Sequence, residues 1–310
     1  MKKVLVTLLS IVLAVFAVNA QDMAKATELA KQANEALGFG ENQMALDGFR
    51  QALTEALACG EEGTTLANTC KEVIPKLLLS TAKDMAKATN YDDAIARLQE
   101  TVKTAKEYGD EETIEKATEL IPQISMQKGA SLLNGKKFDE AVTVFNDLFT
   151  ADPTNGQVAI RLGQALNASG KSAEAKEIFK KAVELGQESV AKKQLSTIAL
   201  KEAAAALKTK DYAAAVAAAV ESNEWVENAQ ALQIAGQASQ ISGKNNDAIK
   251  YFEKFLEVSP NAKNAATVAY TIGALYQKAG NKAKAVEFYK KVLADPVLGP
   301  EAKKLVDALK

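Results

Sequence analysis

Apolar residues recur three and four positions apart along almost the whole chain beyond residue 20, as in Ala283, Val286, Tyr289, Val292 and Leu293. That period puts one apolar stripe on each of a long series of helices. No run of alternating β-branched residues is long enough for a sheet, so the pattern predicts an all-α protein. A sevenfold repeat organises the stripes. A small residue, the anchor, is answered twelve positions later by alanine: Ala33 by Ala45, Ala82 by Ala94, Gly129 by Ala141, Gly163 by Ala175, Ala203 by Ala215, Gly236 by Ala248 and Gly273 by Ala285. Successive anchors are 49, 47, 34, 40, 33 and 37 residues apart. Periods of this size belong to stacked helix pairs, which cannot bury their apolar faces without neighbours.

Further marks recur at fixed offsets. Four residues after the answering alanine stand Phe49, Phe145, Phe179, Phe252 and Tyr289, with Leu98 and Ala219 in the remaining two copies. A glycine six or seven residues after the anchor (Gly135, Gly170, Gly243, Gly280) predicts the turn between the first helix of a pair, A, and the second, B. Pro153 and Pro260 close two copies, and Pro296 lies one position early in a third. In its small residues where helix A meets helix B, its later aromatic and its closing proline, the chain resembles the tetratricopeptide repeat family. The resemblance implies a right-handed α-solenoid of about seven repeats, with partners lying in a concave groove lined by the A helices.

The first copies are longer than the rest. They share a second motif, Glu72-Val73-Ile74-Pro75 and Glu119-Leu120-Ile121-Pro122, in which each proline lies seven residues before an anchor. Proline suits a first helical turn and kinks an interior, so an extended or kinked lead-in to helix A is expected there. The copy at 203–219 is so rich in alanine that it places little bulk in its layer, and Trp225 is expected to fill the gap. Residues 300–310, with Ala302, Leu305, Val306 and Leu309 at helical spacing and lysines opposite, read as a capping helix. The expected segments are a signal peptide at 1–20, elongated repeats at 21–128, repeats of ordinary length at 129–299 and the cap at 300–310.

The ends and the charges sharpen this picture. Met1-Lys2-Lys3, an uncharged apolar run over 4–18 and Val18-Asn19-Ala20 form an export signal with cleavage expected after Ala20. The run is shorter than the roughly 20 residues that span a bilayer core, which makes an uncleaved anchor the weaker alternative. A periplasmic or secreted protein is therefore expected. Net charge is −1, or −3 without Lys2 and Lys3, and only Arg50, Arg97 and Arg161 are arginines, so no electrostatic footprint for nucleic acid is present. Cys59 and Cys70 flank a Gly-Glu-Glu-Gly turn, and in an oxidising compartment a disulfide between them is expected.

Candidate chemistry is sparse. The chain has no histidine, which removes imidazole bases, Ser-His and Cys-His pairs and histidine-ligated metals. Two cysteines are too few for a cysteine-only metal site. Gly170-Lys171-Ser172 lacks the preceding glycine of a phosphate loop and falls at an inter-helix turn. No cofactor or metal is expected, and the chain reads as a binding protein rather than an enzyme. What remains is a polar stripe on the A helices: Gln230, Gln233, Gln237 and Gln240, with Gln157, Gln164 and Asn167 before it and Tyr270 and Gln277 after it. Thr267 belongs to the same set, and Gln123, Met126 and Asn134 extend it upstream. Side-chain amides both donate and accept, so such a groove suits a peptide backbone or sugar hydroxyls. The leading expectation is a protein or peptide partner in the groove. The rivals are an envelope scaffold acting through convex or end-to-end contacts, and a cell-wall glycan binder using the amides with Tyr270.

Overall fold

The computed structural model describes residues 21–309, so the expected export signal lies outside the described residues. Fifteen α-helices and one short 3-10 turn make up the described chain, with no strand among them. They divide into two compact units, one ending at Asp152 and one beginning at Pro153. The first holds α1 (Gln21–Phe39), α2 (Asn42–Ala58), α3 (Thr64–Lys87), α4 (Tyr91–Tyr108), α5 (Glu111–Asn134) and α6 (Phe138–Ala151). The second holds α7 (Gly156–Ala168), α8 (Ser172–Glu184), α9 (Glu188–Lys208), α10 (Tyr212–Trp225), α11 (Ala229–Ile241), α12 (Asn245–Val258), α13 (Ala265–Lys278), α14 (Lys282–Lys290) and α15 (Gly299–Leu309). Each odd-numbered helix from α1 to α13 packs against the even-numbered helix that succeeds it, which gives the seven predicted hairpins. The boundary between units falls inside the stretch 129–299.

The anchors meet the aromatics. A Cβ built on Gly129 would lie 2.6 Å from the Phe145 ring, on Gly163 2.7 Å from Phe179, on Gly236 2.5 Å from Phe252 and on Gly273 2.8 Å from Tyr289. Each B-helix ring is thus seated on bare A-helix backbone, and burying such a ring contributes roughly 2 to 3 kcal/mol. Where the anchor is alanine the partner changes to suit it. Ala82 is paired with Leu98 and Ala203 with Ala219, all buried. Ala33 keeps an aromatic, Phe49, because the space is recovered next door at Gly48, where a Cβ would come within 2.8 Å of the Ala33 Cβ.

The turns are equally regular, though not as the glycine pattern suggests. In all seven hairpins the residue seven after the anchor is left-handed: Gly40, Thr89, Lys136, Gly170, Lys210, Gly243 and Gly280, with φ between 61° and 86°. The next residue's N–H donates back over five positions, as in Lys137 to Leu132 (2.9 Å), Lys171 to Leu166 (2.9 Å) and Lys244 to Ser239 (2.8 Å). This is the bonding of a Schellman cap, which satisfies the last carbonyls of helix A. Gly135, expected to make its turn, has φ −76° and merely ends α5, while Lys136 carries the left-handed conformation.

Two other expectations are corrected. Of the extended or kinked lead-in expected before these anchors, the extended form is absent: helices α3 and α5 run for 24 residues each with Pro75 and Pro122 inside them, so the elongated repeats are elongated A helices. The disulfide between Cys59 and Cys70 is not formed. Cys59 is turned back on its own helix, its Sγ donating to the Glu55 carbonyl at 3.2 Å, while Cys70 is fully buried in the core that α3 shares with α2. Burial pushes the Cys70 thiol up to about 12.

The alanine-rich layer is closed by larger residues around it and by polar links, with Trp225 outside its core. The residues packed on its core of Ala203, Ala215, Ala219 and Ala235 include Leu207, Tyr212, Val216 and Tyr251, while Trp225 sits half-buried at the end of α10. Buried Ser196 and Ser222 hydrogen-bond across α9 and α10 at 3.0 Å. Lys176 joins Glu202 (3.1 Å) and Glu221 (2.7 Å) over the same helices. Burial alone would lower the Lys176 pKa, but the two carboxylates outweigh it and the net shift is upward. At the end of the chain, Ala302 and Val306 of α15 enter the core of the last hairpin and Lys303, Lys304 and Asp307 face outward, as a cap requires.

The three non-glycine turns carry a cost that is largest at Thr89, since a β-branched residue is least tolerant of positive φ. Thr89→Gly is expected to raise stability by about 0.5 to 1 kcal/mol in urea unfolding, the relief of strain exceeding the added chain entropy.

Candidate binding face

The A helices of the second unit position the predicted stripe. In α11 the side of the helix carrying Gly236 is occupied by Phe252, and Ala231, Leu232 and Ala235 are buried. That arrangement leaves Gln230, Gln233, Gln237 and Gln240 along one side. Gln230 and Gln240 are exposed and Gln233 and Gln237 half-buried. Asn228 caps this helix, its Oδ1 accepting from the N–H groups of Gln230 (2.9 Å) and Ala231 (3.3 Å), which fixes where the stripe begins.

On α7, Gln157 is exposed while Gln164 and Asn167 are half-buried. Gln164 accepts from Arg161 at 3.2 Å and Asn167 from the Ser172 hydroxyl at 3.3 Å. These two amides are therefore oriented by neighbours, with their remaining groups available to a ligand.

Helix α13 brings two predicted residues together through a third. Tyr289, seated on Gly273, donates its hydroxyl to Gln277 Oε1 at 2.8 Å, and its ring lies 5.3 Å from that of Tyr270 at 55°. Tyrosine in place of phenylalanine at this slot lets a core ring reach the A-helix face. Burial, and after it the neighbouring Tyr270, raises the Tyr289 pKa. Sequence reasoning placed Tyr289 in the core; the signal for its second role was the change from Phe to Tyr in the last copy. Nearby, Tyr276 donates to Glu253 at 2.8 Å, and burial together with that carboxylate pushes its hydroxyl up to about 12. All nine stripe residues belong to the second unit. Gln123, Met126 and Asn134 are on α5 in the first, with Gln123 and Asn134 exposed.

The described residues hold no cluster of three or more His, Cys, Asp or Glu able to bind a metal, and no described helix is long and apolar enough to cross a membrane. The carboxylate pairs Glu111-Glu112 and Asp139-Glu140 occupy first helical turns, where they complement the helix dipole.

A face of this kind, built from stacked hairpins with polar side chains on every A helix, defines a helical repeat protein of the interaction-module class. Sequence models of the tetratricopeptide repeat match residues 132–196 and 227–295, and the chain is a tetratricopeptide repeat protein. Among solved structures, the MamA protein is 23% identical over 59% of this chain and 92% of its own, with a TM-score of 0.36. YrrB, described as a TPR protein with an unusual peptide-binding site, is 20% identical over 58% of this chain and 91% of its own, with a TM-score of 0.33. MamA from Desulfovibrio magneticus RS-1 is 17% identical over 56% and 93%, with a TM-score of 0.32. No curated protein matches the sequence.

The raised Tyr276 pKa fixes a sign for alkaline stability. The folded state holds the proton that the unfolded chain gives up near pH 10, so this contribution is complete below pH 10 and is lost as pH rises towards 12. Tyr276→Phe is expected to flatten that part of the decline in a pH series of urea midpoints, while Cys70, Tyr108, Lys176, Tyr251, Lys254, Lys284 and Tyr289, whose pKa values are raised as well, keep the rest of the slope.

Proposed function

We propose that the protein is an exported, non-enzymatic binding protein of the periplasm that takes a protein or peptide partner on the A-helix face of its second unit. Tetratricopeptide repeats support protein binding in general. The particular face is supported by one observation: α7, α11 and α13 present amide or hydroxyl side chains at equivalent, solvent-reachable positions, to which α9 adds only Thr197, while the B-helix side of each anchor is filled by a ring or an aliphatic group. Amides at regular spacing match the donors and acceptors of an extended backbone. The export signal read from residues 1–20 supports the compartment.

The rivals fit less well. Sugar binders stack a pyranose ring on an open aromatic face, and the Tyr270 ring is already tilted against Tyr289. End-to-end assembly calls for apolar terminal faces. Helix α1 exposes Lys25, Glu28, Lys31, Gln32 and Glu35, with Phe39 as its one exposed large apolar side chain, and α15 exposes Lys303, Lys304 and Asp307.

The double substitution Gln233→Ala/Gln237→Ala is expected to reduce partner capture from an envelope extract by tenfold or more while leaving helical content unchanged by circular dichroism. Undiminished capture would overturn the groove reading for peptide and glycan alike.

A further inference from the structure

The charges of the second unit are distributed unevenly between its two kinds of helix. Six positions relative to each anchor share one side of an A helix at 3.6 residues per turn: six, three and two before it, and one, four and five after it. On α7, α9, α11 and α13 these positions hold Arg161, Lys201, Lys208 and Lys278, all exposed, and no Asp or Glu, although 39 of the 310 residues are acidic. The two acids carried by these four helices lie off the face and are already paired, Glu188 with Lys192 and Glu202 with Lys176. Among the described residues none of the four cations has a carboxylate partner; Arg161 donates only to Gln164. The B helices carry both signs: Lys176, Lys254 and Lys284 are paired with Glu221, Glu227 and Glu287, while Lys250, Lys282 and Lys290 stand among acids such as Asp247, Glu253 and Glu287 on their own helices.

Four unmatched cations on a face without anions create a positive potential that a partner can complete. We propose that the A-helix face of the second unit recognises an extended acidic peptide segment through its Asp and Glu side chains, with the amide stripe holding the backbone. This deepens the peptide-binding reading and rests on it. Two features favour peptide over nucleic acid. Three of the four cations are lysines, so the planar fork that grips phosphate is nearly absent. The one aromatic of the face, Tyr270, is occupied by Tyr289 and gives bases no stacking platform. Acid spacing comes from the helix: Lys201 and Lys208 are seven residues apart, about 10 Å along α9, which is about three residues of extended chain. Small residues at Ala204 and Ala274, both exposed, leave room for that chain.

The test measures fluorescence anisotropy of the full chain with three twelve-residue peptides, blocked at both ends so that no terminal carboxylate contributes. One has Glu at every third position, the second Gln in its place and the third Lys. Exposed ion pairs each give roughly a twofold effect. The Glu peptide is therefore expected to bind about tenfold more tightly than the Gln peptide at low salt, and the Lys peptide more weakly than either. Lys201→Gln/Lys208→Gln is expected to cut the Glu-peptide affinity about fourfold without altering the Gln-peptide affinity or the helical content. Equal affinities for the Glu and Gln peptides would overturn the acidic preference, while leaving the peptide-binding face to stand or fall by Gln233 and Gln237. Absence of Glu-peptide binding at millimolar concentration would also overturn it. A twelve-nucleotide oligothymidylate that binds more tightly than the Glu peptide and loses affinity in the lysine variant would replace peptide with nucleic acid.

Discussion

The distance between the two helices of a hairpin is set by one contact: the ring of a B-helix aromatic lying on the backbone of an A-helix glycine. Phe145, Phe179, Phe252 and Tyr289 all approach so closely that a Cβ could not be inserted, so these four hairpins share one ring-on-backbone contact, and the left-handed turn seven residues after each anchor fixes how the chain reverses. The same contact decides the use of every side of the A helix. One side is committed to the ring, neighbouring sides to adjacent hairpins, and the remaining side is left to solvent and ligand. The polar stripe is a consequence of the packing geometry before it is a choice of function.

Where glycine is replaced, compensation is local. Leu98 opposite Ala82 and Ala219 opposite Ala203 give up ring area to make room for a methyl group, and Gly48 makes the same room beside Phe49. The second case leaves a layer with little apolar bulk, and there polar groups take over: the Ser196–Ser222 hydrogen bond and the Lys176 network tie α8, α9 and α10 together. A buried hydroxyl pair is stabilising only when satisfied, and this one is, since Ser222 also donates to the Ser196 carbonyl at 2.9 Å.

Much of this was legible before any coordinates. Anchors, answering alanines and aromatic slots are side-chain size signals at fixed offsets, and size is what the packing selects. Turn residues were read less well, because glycine marks a left-handed position only when the chain uses it there. Thr89, Lys136 and Lys210 adopt the conformation without the marker, and Gly135 bears the marker without the conformation. Pro75 and Pro122 misled in the other direction, since tertiary packing holds α3 and α5 helical through them. Cysteine spacing carried no information on which way each thiol points. Amides of the stripe were found by periodicity, whereas the Tyr289–Gln277 bond and the unmatched cations depend on which neighbours are absent, a property that one helix read alone does not reveal.

The central claim, that ring and glycine are a single interacting unit, is tested most directly by a double-mutant cycle on Gly236 and Phe252. Equilibrium urea unfolding gives the four free energies. Gly236→Ala is predicted to cost about 1 to 3 kcal/mol despite the better helix propensity of alanine, and Phe252→Leu about 1 to 2 kcal/mol. The double variant, which recreates the Ala82–Leu98 pairing, is predicted to cost at least about 1 kcal/mol less than their sum. Additive effects, or a Gly236→Ala variant more stable than the parent, would contradict the account.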